Sequence, residues 1–418
     1  MSKAASQHRS VGAACAMAAA LLAAPALAAP DEDTLGKAEG YPACAPALIV
    51  EARCLIGLVT RRDETHAARV VPKGEHVHAF ARAASETAIA WRFAQVSGGI
   101  DAYLDHTRTT GLLIVKDDTI LAERYQYDRT SAHRMTSMSM AKTVVAMLVG
   151  IAVADGAIAS IDDRAGKYVV ELRGTPYGET SLRHLLTMSS GVRFVESYSG
   201  SDDVATLARR SFLGESEGGV ATVAPFTTRE RPAGERFSYS SGDSQVLGLV
   251  LRAATGRTLA DYLSEKLWKP MGAEADASWL VDHGGYEIGY AGINATLRDW
   301  GRLGVLLANG GMIDGRRIIP AAWVRAATTP AGKAFEPGGS MFFGYGYQTW
   351  ILPGRERQFL LLGLRRQMIL VDPDAKLVMV STAAENLGGG WGEQLALWNG
   401  VIARFGSRVD RPPPPAVR

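Results

Sequence analysis

Apolar positions follow two rhythms along this chain, and the change from one to the other outlines the fold. Gly111 to Tyr125 reads as two β runs meeting at Asp117-Asp118, which predicts a hairpin. Ile100, Tyr103 and Leu104 just before it have helical spacing. Over residues 140–158, Val144, Val145, Leu148, Val149 and Ile151 cover more than one helical face, which predicts a buried helix. Residues 160–285 break into short helical pieces and loops, among them Leu182 to Met188 and Val246 to Ala254, the latter ended by Gly256. A further helix is expected within 290–312, from Leu297 to Leu307, before Gly310-Gly311. Strands then return at Tyr345–Ile351, Gln367–Asp372 and Lys376–Ser381, and a last helix runs from Trp391 to about Phe405.

Strands at both ends of a mainly helical middle predict an α+β fold. A mixed, mainly antiparallel sheet is flanked by helices, and an all-helical lobe spans about 156–285. The expected catalytic unit is 91–410. It is preceded by an N-terminal arm over 29–90, irregular across 29–80, and followed by a loose proline-rich tail over 411–418.

Composition narrows the class. Of the 418 residues, 47% are hydrophobic and 21% charged, an ordinary globular mix. The formal net charge is +2, and the first 28 residues hold Lys3 and Arg9 with no Asp or Glu, so the remainder is neutral. Neutrality argues against a nucleic-acid partner and against a polybasic membrane binder. Residues 1–28 read as a secretory signal: a basic start, an apolar run from Val11 to Ala24, and Ala26-Leu27-Ala28 as the cleavage site. No later apolar run approaches the ~18 residues of a membrane span, so stable membrane insertion is not expected. The reading is a periplasmic or secreted protein. Cys15 leaves with the signal, and Cys44 and Cys54 remain as an expected disulfide. Two cysteines without paired histidines give too few ligands for a metal site.

The sharpest chemical signal is Ser139-Met140-Ala141-Lys142. Spacing of three on a helix brings both side chains to one face. A lysine held neutral by burial can take the serine proton, and free N–H groups at the helix start can stabilise an oxyanion. With 26 Ser and 10 Lys, chance predicts roughly 0.6 such pairs, and one occurs. Ser137 and Thr136 offer polar support beside it. A second element is Phe237-Ser-Tyr-Ser-Ser-Gly-Asp-Ser-Gln245, where Ser240 and Asp243 form a capping pair and Tyr239 sits on a rigid corner. A tyrosine beside a lysine ammonium is expected to have a lowered pKa and to relay protons. The third is Leu361-Leu-Gly-Leu-Arg-Arg-Gln367 entering the next strand, with Gly363 allowing close approach to the serine.

These three elements, in this order, resemble the serine β-lactamase and penicillin-binding superfamily. The likeness is greatest to class C β-lactamase-like serine hydrolases, which include esterases and 6-aminohexanoate-oligomer hydrolases. It spans roughly Ile100 to Phe405 and is supported by Leu186-Thr-Met-Ser-Ser-Gly191, Leu247-Gly-Leu-Val-Leu251, Gly344-Tyr-Gly-Tyr-Gln348 and Val371-Asp-Pro373. The resemblance implies Ser139 as nucleophile, Lys142 and Tyr239 as proton-transfer partners, and oxyanion donors at the backbone of Ser139 and Leu364. It also implies a substrate-contacting Tyr198, within Glu196-Ser-Tyr198. Tyr198, Ser241, Gly363, Arg365 and Arg366 are the expected substrate-binding positions.

Two departures bear on substrate. The second motif of the lactamase and peptidase members ends in Asn, where this chain has Ser241. Their third motif opens on a cation, where this chain has Leu361. That cation meets a substrate carboxylate, and Arg365 or Arg366 is the candidate replacement. The expected activity is therefore acyl-enzyme hydrolysis of a small amide or ester with no cofactor. The rival readings are β-lactamase or D-alanyl-D-alanine carboxypeptidase activity, or a silent cell-wall-binding module.

Overall fold

The computed structural model describes residues 29–338, 341–354, 357–388 and 390–406. The expected signal segment and the loose tail lie outside them. The strand patterns assemble into an eight-stranded sheet. Its order is Gly344–Tyr345, Trp350–Ile351, Phe359–Gly363, Gln367–Asp372, Leu377–Ala383, Thr109–Lys116, Thr119–Tyr125 and Ala81–Arg82. Each pairing is antiparallel except the last, so the sheet is mixed and mainly antiparallel, as expected. The hairpin turns through Asp117 (φ 46°) and Asp118 (φ 59°), both left-handed, as a two-residue turn matching the strand twist requires.

All six residues of Gln367–Asp372 are buried because both faces of the sheet are covered. Ile369 and Val371 join the core beneath the helix Leu297–Ala308. Met368 and Leu370 join the opposite core with Tyr103, Trp398 and Val401, from the helices Ile100–His106 and Gly392–Phe405. The helix Ala141–Ala154 is buried from Ala141 to Ala152 and packs against the helix Ser241–Thr255 in the helical lobe. Among the described residues, no helix is long and apolar enough to cross a membrane.

Several details differ from the sequence reading. A second sheet, of four antiparallel strands, stands beside the first, in the order Ala68–Val71, Ala277–Leu280, Ile293–Thr296 and Arg134–Thr136. Its strands are too short to announce themselves by alternation. The arm is thereby tied down. It supplies the strand Ala68–Val71 and the helix Leu55–Thr60, whose Leu55, Ile56 and Val59 pack with Tyr127 and Met138. Cys44 and Cys54 are bonded, with Cα atoms 5.6 Å apart.

The helix read from Val246 begins at Ser241, because Ser240 Oγ accepts the Asp243 N–H at 3.1 Å and caps a polar first turn. The helix expected from Leu297 does begin there, capped by Thr296, but Ile293–Thr296 just before it, inside the span 290–312 with helical character, is strand. Tyr345–Ile351 is not one strand. Gln348 takes φ 51° and breaks it, with its N–H on the Leu186 carbonyl at 2.9 Å and its side-chain amide on the Leu185 carbonyl at 2.8 Å. Tertiary hydrogen bonds outweigh β propensity there.

Candidate active site

Ser139 sits in the turn Met138–Met140, which runs directly into the helix Ala141–Ala154. The turn is pinned from below. Ser137 bonds the small sheet through both main chain and side chain, its N–H donating to the Ile293 carbonyl at 2.6 Å and its Oγ accepting the Ile293 N–H at 3.1 Å. Met138 is held at φ 43°, an uncommon conformation for a side chain of its kind. Met138 and Met140 are buried, and Ser139 between them is half-buried, open to a cleft of about 200 Å3.

One turn on, Lys142 is 1% exposed. Its Nζ donates to Ser139 Oγ at 2.8 Å and to the Tyr290 carbonyl at 3.1 Å. Burial disfavours its charged form and pushes its pKa down to about 8, against a smaller opposing pull from the Glu196 carboxylate. The helix therefore presents a lysine that can lose its proton near neutral pH, in contact with a serine hydroxyl.

Tyr239 faces the same pair. Lys142 Nζ lies 5.1 Å from its ring centroid. The ring stacks on Trp350 at 5.3 Å and 27°. The expectation of a lowered tyrosine pKa fails. Burial first, then the Glu196 carboxylate, push the Tyr239 phenol up, and a hydrogen bond with Ser139 only partly offsets them. Tyr239 is thereby held as the neutral phenol, while Lys142 is the group brought toward neutrality.

The end of the Phe359–Gly363 strand closes the site. A methyl group at Gly363 would lie 2.5 Å from the Ser137 carbonyl oxygen and 3.1 Å from Ser139 N. Glycine alone lets this backbone meet the serine turn, which brings the main chain at Gly363 beside the Ser139 N–H. Leu361, which opens the third motif, is fully buried in the core.

Tyr198, Ser241, Leu364 and Arg365 line the cleft with Ser139. Tyr198 has φ 57° and donates to Glu196 Oε1 at 2.7 Å. Ser241 is buried and bonded to the same carboxylate. Arg366 is not at the cleft. Its Nη1 is paired with Glu393 at 2.7 Å and lies 3.6 Å from Glu385, so its charge is already met and it cannot replace the missing cation. Arg365 and Arg366 both have positive φ (59° and 66°), and this turn sends their side chains to different partners.

Three residues escaped the sequence reading. Glu196 was visible only as a neighbour of Tyr198. Trp350 lay inside a segment read as plain strand. Arg62 comes from the arm, and its Nη1 lies 3.5 Å from the Met138 sulfur. No spacing rule links a residue to a partner 76 positions away.

Residues 100–389 match the Beta-lactamase family model. The chain is 27% identical over 294 residues to a 6-aminohexanoate-dimer hydrolase from Paenarthrobacter ureafaciens, covering 68% of this chain and 75% of that relative. It is 24% identical over 219 residues to a D-aminopeptidase from Cereibacter sphaeroides, covering 46% of this chain and 39% of that protein. Among solved structures, a Bacillus anthracis protein provisionally named a 6-aminohexanoate-dimer hydrolase superposes with a TM-score of 0.77 at 22% identity, covering 90% of this chain and 97% of that one. On this fold, with that match and these relatives, the chain belongs to the Beta-lactamase family and is a serine hydrolase.

Proposed function

We propose that the chain cleaves a small linear amide or ester through an acyl-enzyme on Ser139. The observation that carries this reading is the 2.8 Å contact between Ser139 Oγ and a buried Lys142 whose pKa is about 8. Neutral Lys142 takes the hydroxyl proton as Oγ attacks the substrate carbonyl carbon. The N–H groups of Ser139 and Leu364 receive the oxyanion. As the tetrahedral species collapses, Tyr239 gives its proton to the departing amine or alcohol and recovers one from the Lys142 ammonium. Water, deprotonated along the same route, then hydrolyses the acyl-enzyme and frees Ser139.

The 6-aminohexanoate-dimer hydrolase relative supports an amide of that linear type over a β-lactam. The buried Leu361 supports it too, since it offers no charge on the strand where lactamase relatives hold a carboxylate. Export to an oxidising compartment is part of the proposal and agrees with the Cys44–Cys54 bond. Ser139→Ala is expected to abolish both 4-nitrophenyl butyrate hydrolysis and labelling by a fluorophosphonate, with the melting curve retained. Full activity in that variant would sink the proposal.

A further inference from the structure

Arg62 and Arg365 are far apart in the chain, yet both line the cleft that opens on Ser139. Arg62 follows the disulfide-anchored helix Leu55–Thr60 and lies over the Phe212 ring, with its guanidinium carbon 4.3 Å from the ring centroid. Its Nη1 meets only the Met138 sulfur, and its Nε is buried without a partner. Arg365 donates to the main-chain oxygen of Glu385 at 2.9 Å. Among the described residues, neither guanidinium has a carboxylate at ion-pair distance.

The acids nearby are already engaged. Asp63 pairs with Arg134 and Glu64 with Arg61, each at 2.7 Å. Glu196 is held by Ser241 and Tyr198, and Asp202 caps the helix Asp203–Phe212. His66, pushed down to about 4 by burial and by Arg62, is neutral. Burial pushes the Arg62 pKa down to about 10 and the like charge of Arg365 adds a smaller push in the same direction, so two desolvated guanidinium groups are costly to hold here without an anion.

We infer that Arg62 and Arg365 form a carboxylate-binding subsite, so that the hydrolase acts on substrates with a free carboxylate end. The inference rests on the hydrolase reading and narrows its substrate class. The cation absent at Leu361 is supplied instead by Arg62 from the N-terminal arm together with Arg365. A guanidinium can meet a carboxylate with two parallel N–H donors, and a second guanidinium completes the charge balance.

The test is equilibrium binding of hexanoate and of hexanamide to the full chain by calorimetry, which requires no turnover. Hexanoate is expected to bind at least about tenfold more tightly, in line with a charge-assisted hydrogen bond. Arg62→Gln and Arg365→Gln should each bring that preference below about threefold, and Arg62→Lys should keep part of it. Equal affinities for the two probes in the parent protein overturn the inference. So does an undiminished preference in both glutamine variants. Fluorophosphonate labelling of Ser139 on the same sample reports on the hydrolase reading separately. Labelling without carboxylate preference removes the subsite alone, and carboxylate preference without labelling removes the hydrolase reading alone.

Discussion

Glu196 holds Ser241 by both of its donors, the backbone N–H at 2.7 Å and the hydroxyl at 2.9 Å. The grip fixes the first turn of the Ser241–Thr255 helix, two residues after Tyr239. It also places a carboxylate close enough to raise the pKa of both Lys142 and Tyr239. One side chain thus serves as a structural clamp and as an electrostatic influence on both Lys142 and Tyr239.

Replacing that carboxylate by an amide should shift the pH profile. Glu196 stabilises the Lys142 ammonium, so Glu196→Gln removes a raising influence and Lys142 loses its proton at lower pH. The rising limb of kcat/KM for 4-nitrophenyl butyrate is expected to move toward acid. A profile that moves toward base or stays fixed would detach Glu196 from the base.

In the parent enzyme that limb should rise through pH about 8, where Lys142 becomes neutral. Lys142→Arg cannot deprotonate in this range and should lower kcat/KM by roughly a hundredfold or more. An activity flat from pH 6 to 9 would contradict lysine as the base.

The same shift has a stability consequence. The folded pKa of about 8 lies below the ordinary 10.5, so the unfolded chain binds more protons between these values, and stability rises with pH across that window. Below about pH 8 the native state carries the full penalty, on the order of 3 kcal/mol. Lys142→Met should therefore melt higher than the parent at pH 7, with the difference shrinking as pH approaches 10.5. Thermal unfolding at both pH values checks it.

Gly363→Ala should separate activity from folding. The added methyl meets the Ser137 carbonyl at 2.5 Å and must push the strand end away from Ser139. Loss of one oxyanion donor costs roughly a hundredfold in kcat. That fall is expected with KM and the melting temperature changed far less.

Reduction of the Cys44–Cys54 bond should lower stability by about 2–4 kcal/mol, the usual range for a disulfide. Both cysteines border the catalytic cleft, so KM should rise as well. Cys44→Ser and Cys54→Ser, assayed beside the dithiothreitol-treated parent, check both effects.

The legible parts of this site were the local ones. Ser139 and Lys142 are one helical turn apart, and Asp117-Asp118 between two β runs marks its hairpin by turn chemistry alone. Ser240 with Asp243 was legible as a cap, though not as the start of its helix. Its first turn is polar and buried, a combination that periodicity reads as loop. Arg62, Glu196 and Trp350 reach the site through contacts between distant segments, which no local pattern encodes. The direction of the Tyr239 pKa is set first by burial and then by Glu196, both products of tertiary packing that a neighbouring lysine in the motif does not reveal. Arg366 looked available only because Glu385 and Glu393, its partners, lie 19 and 27 residues downstream.

The arm strand Ala68–Val71 forms the rim of the four-stranded sheet and lies before the family-matched region. A chain begun at residue 100 would lose it and bare the ladder of Ala277–Leu280, all four of whose residues are buried in the intact protein. Glu287, fully buried, would also lose Arg69. Unpaired main-chain donors and acceptors beside Trp279 and Leu280 are a template for a second copy. Such a truncated protein is expected to self-associate edge to edge, eluting in high-order species on size exclusion, so the arm guards solubility as well as the cleft.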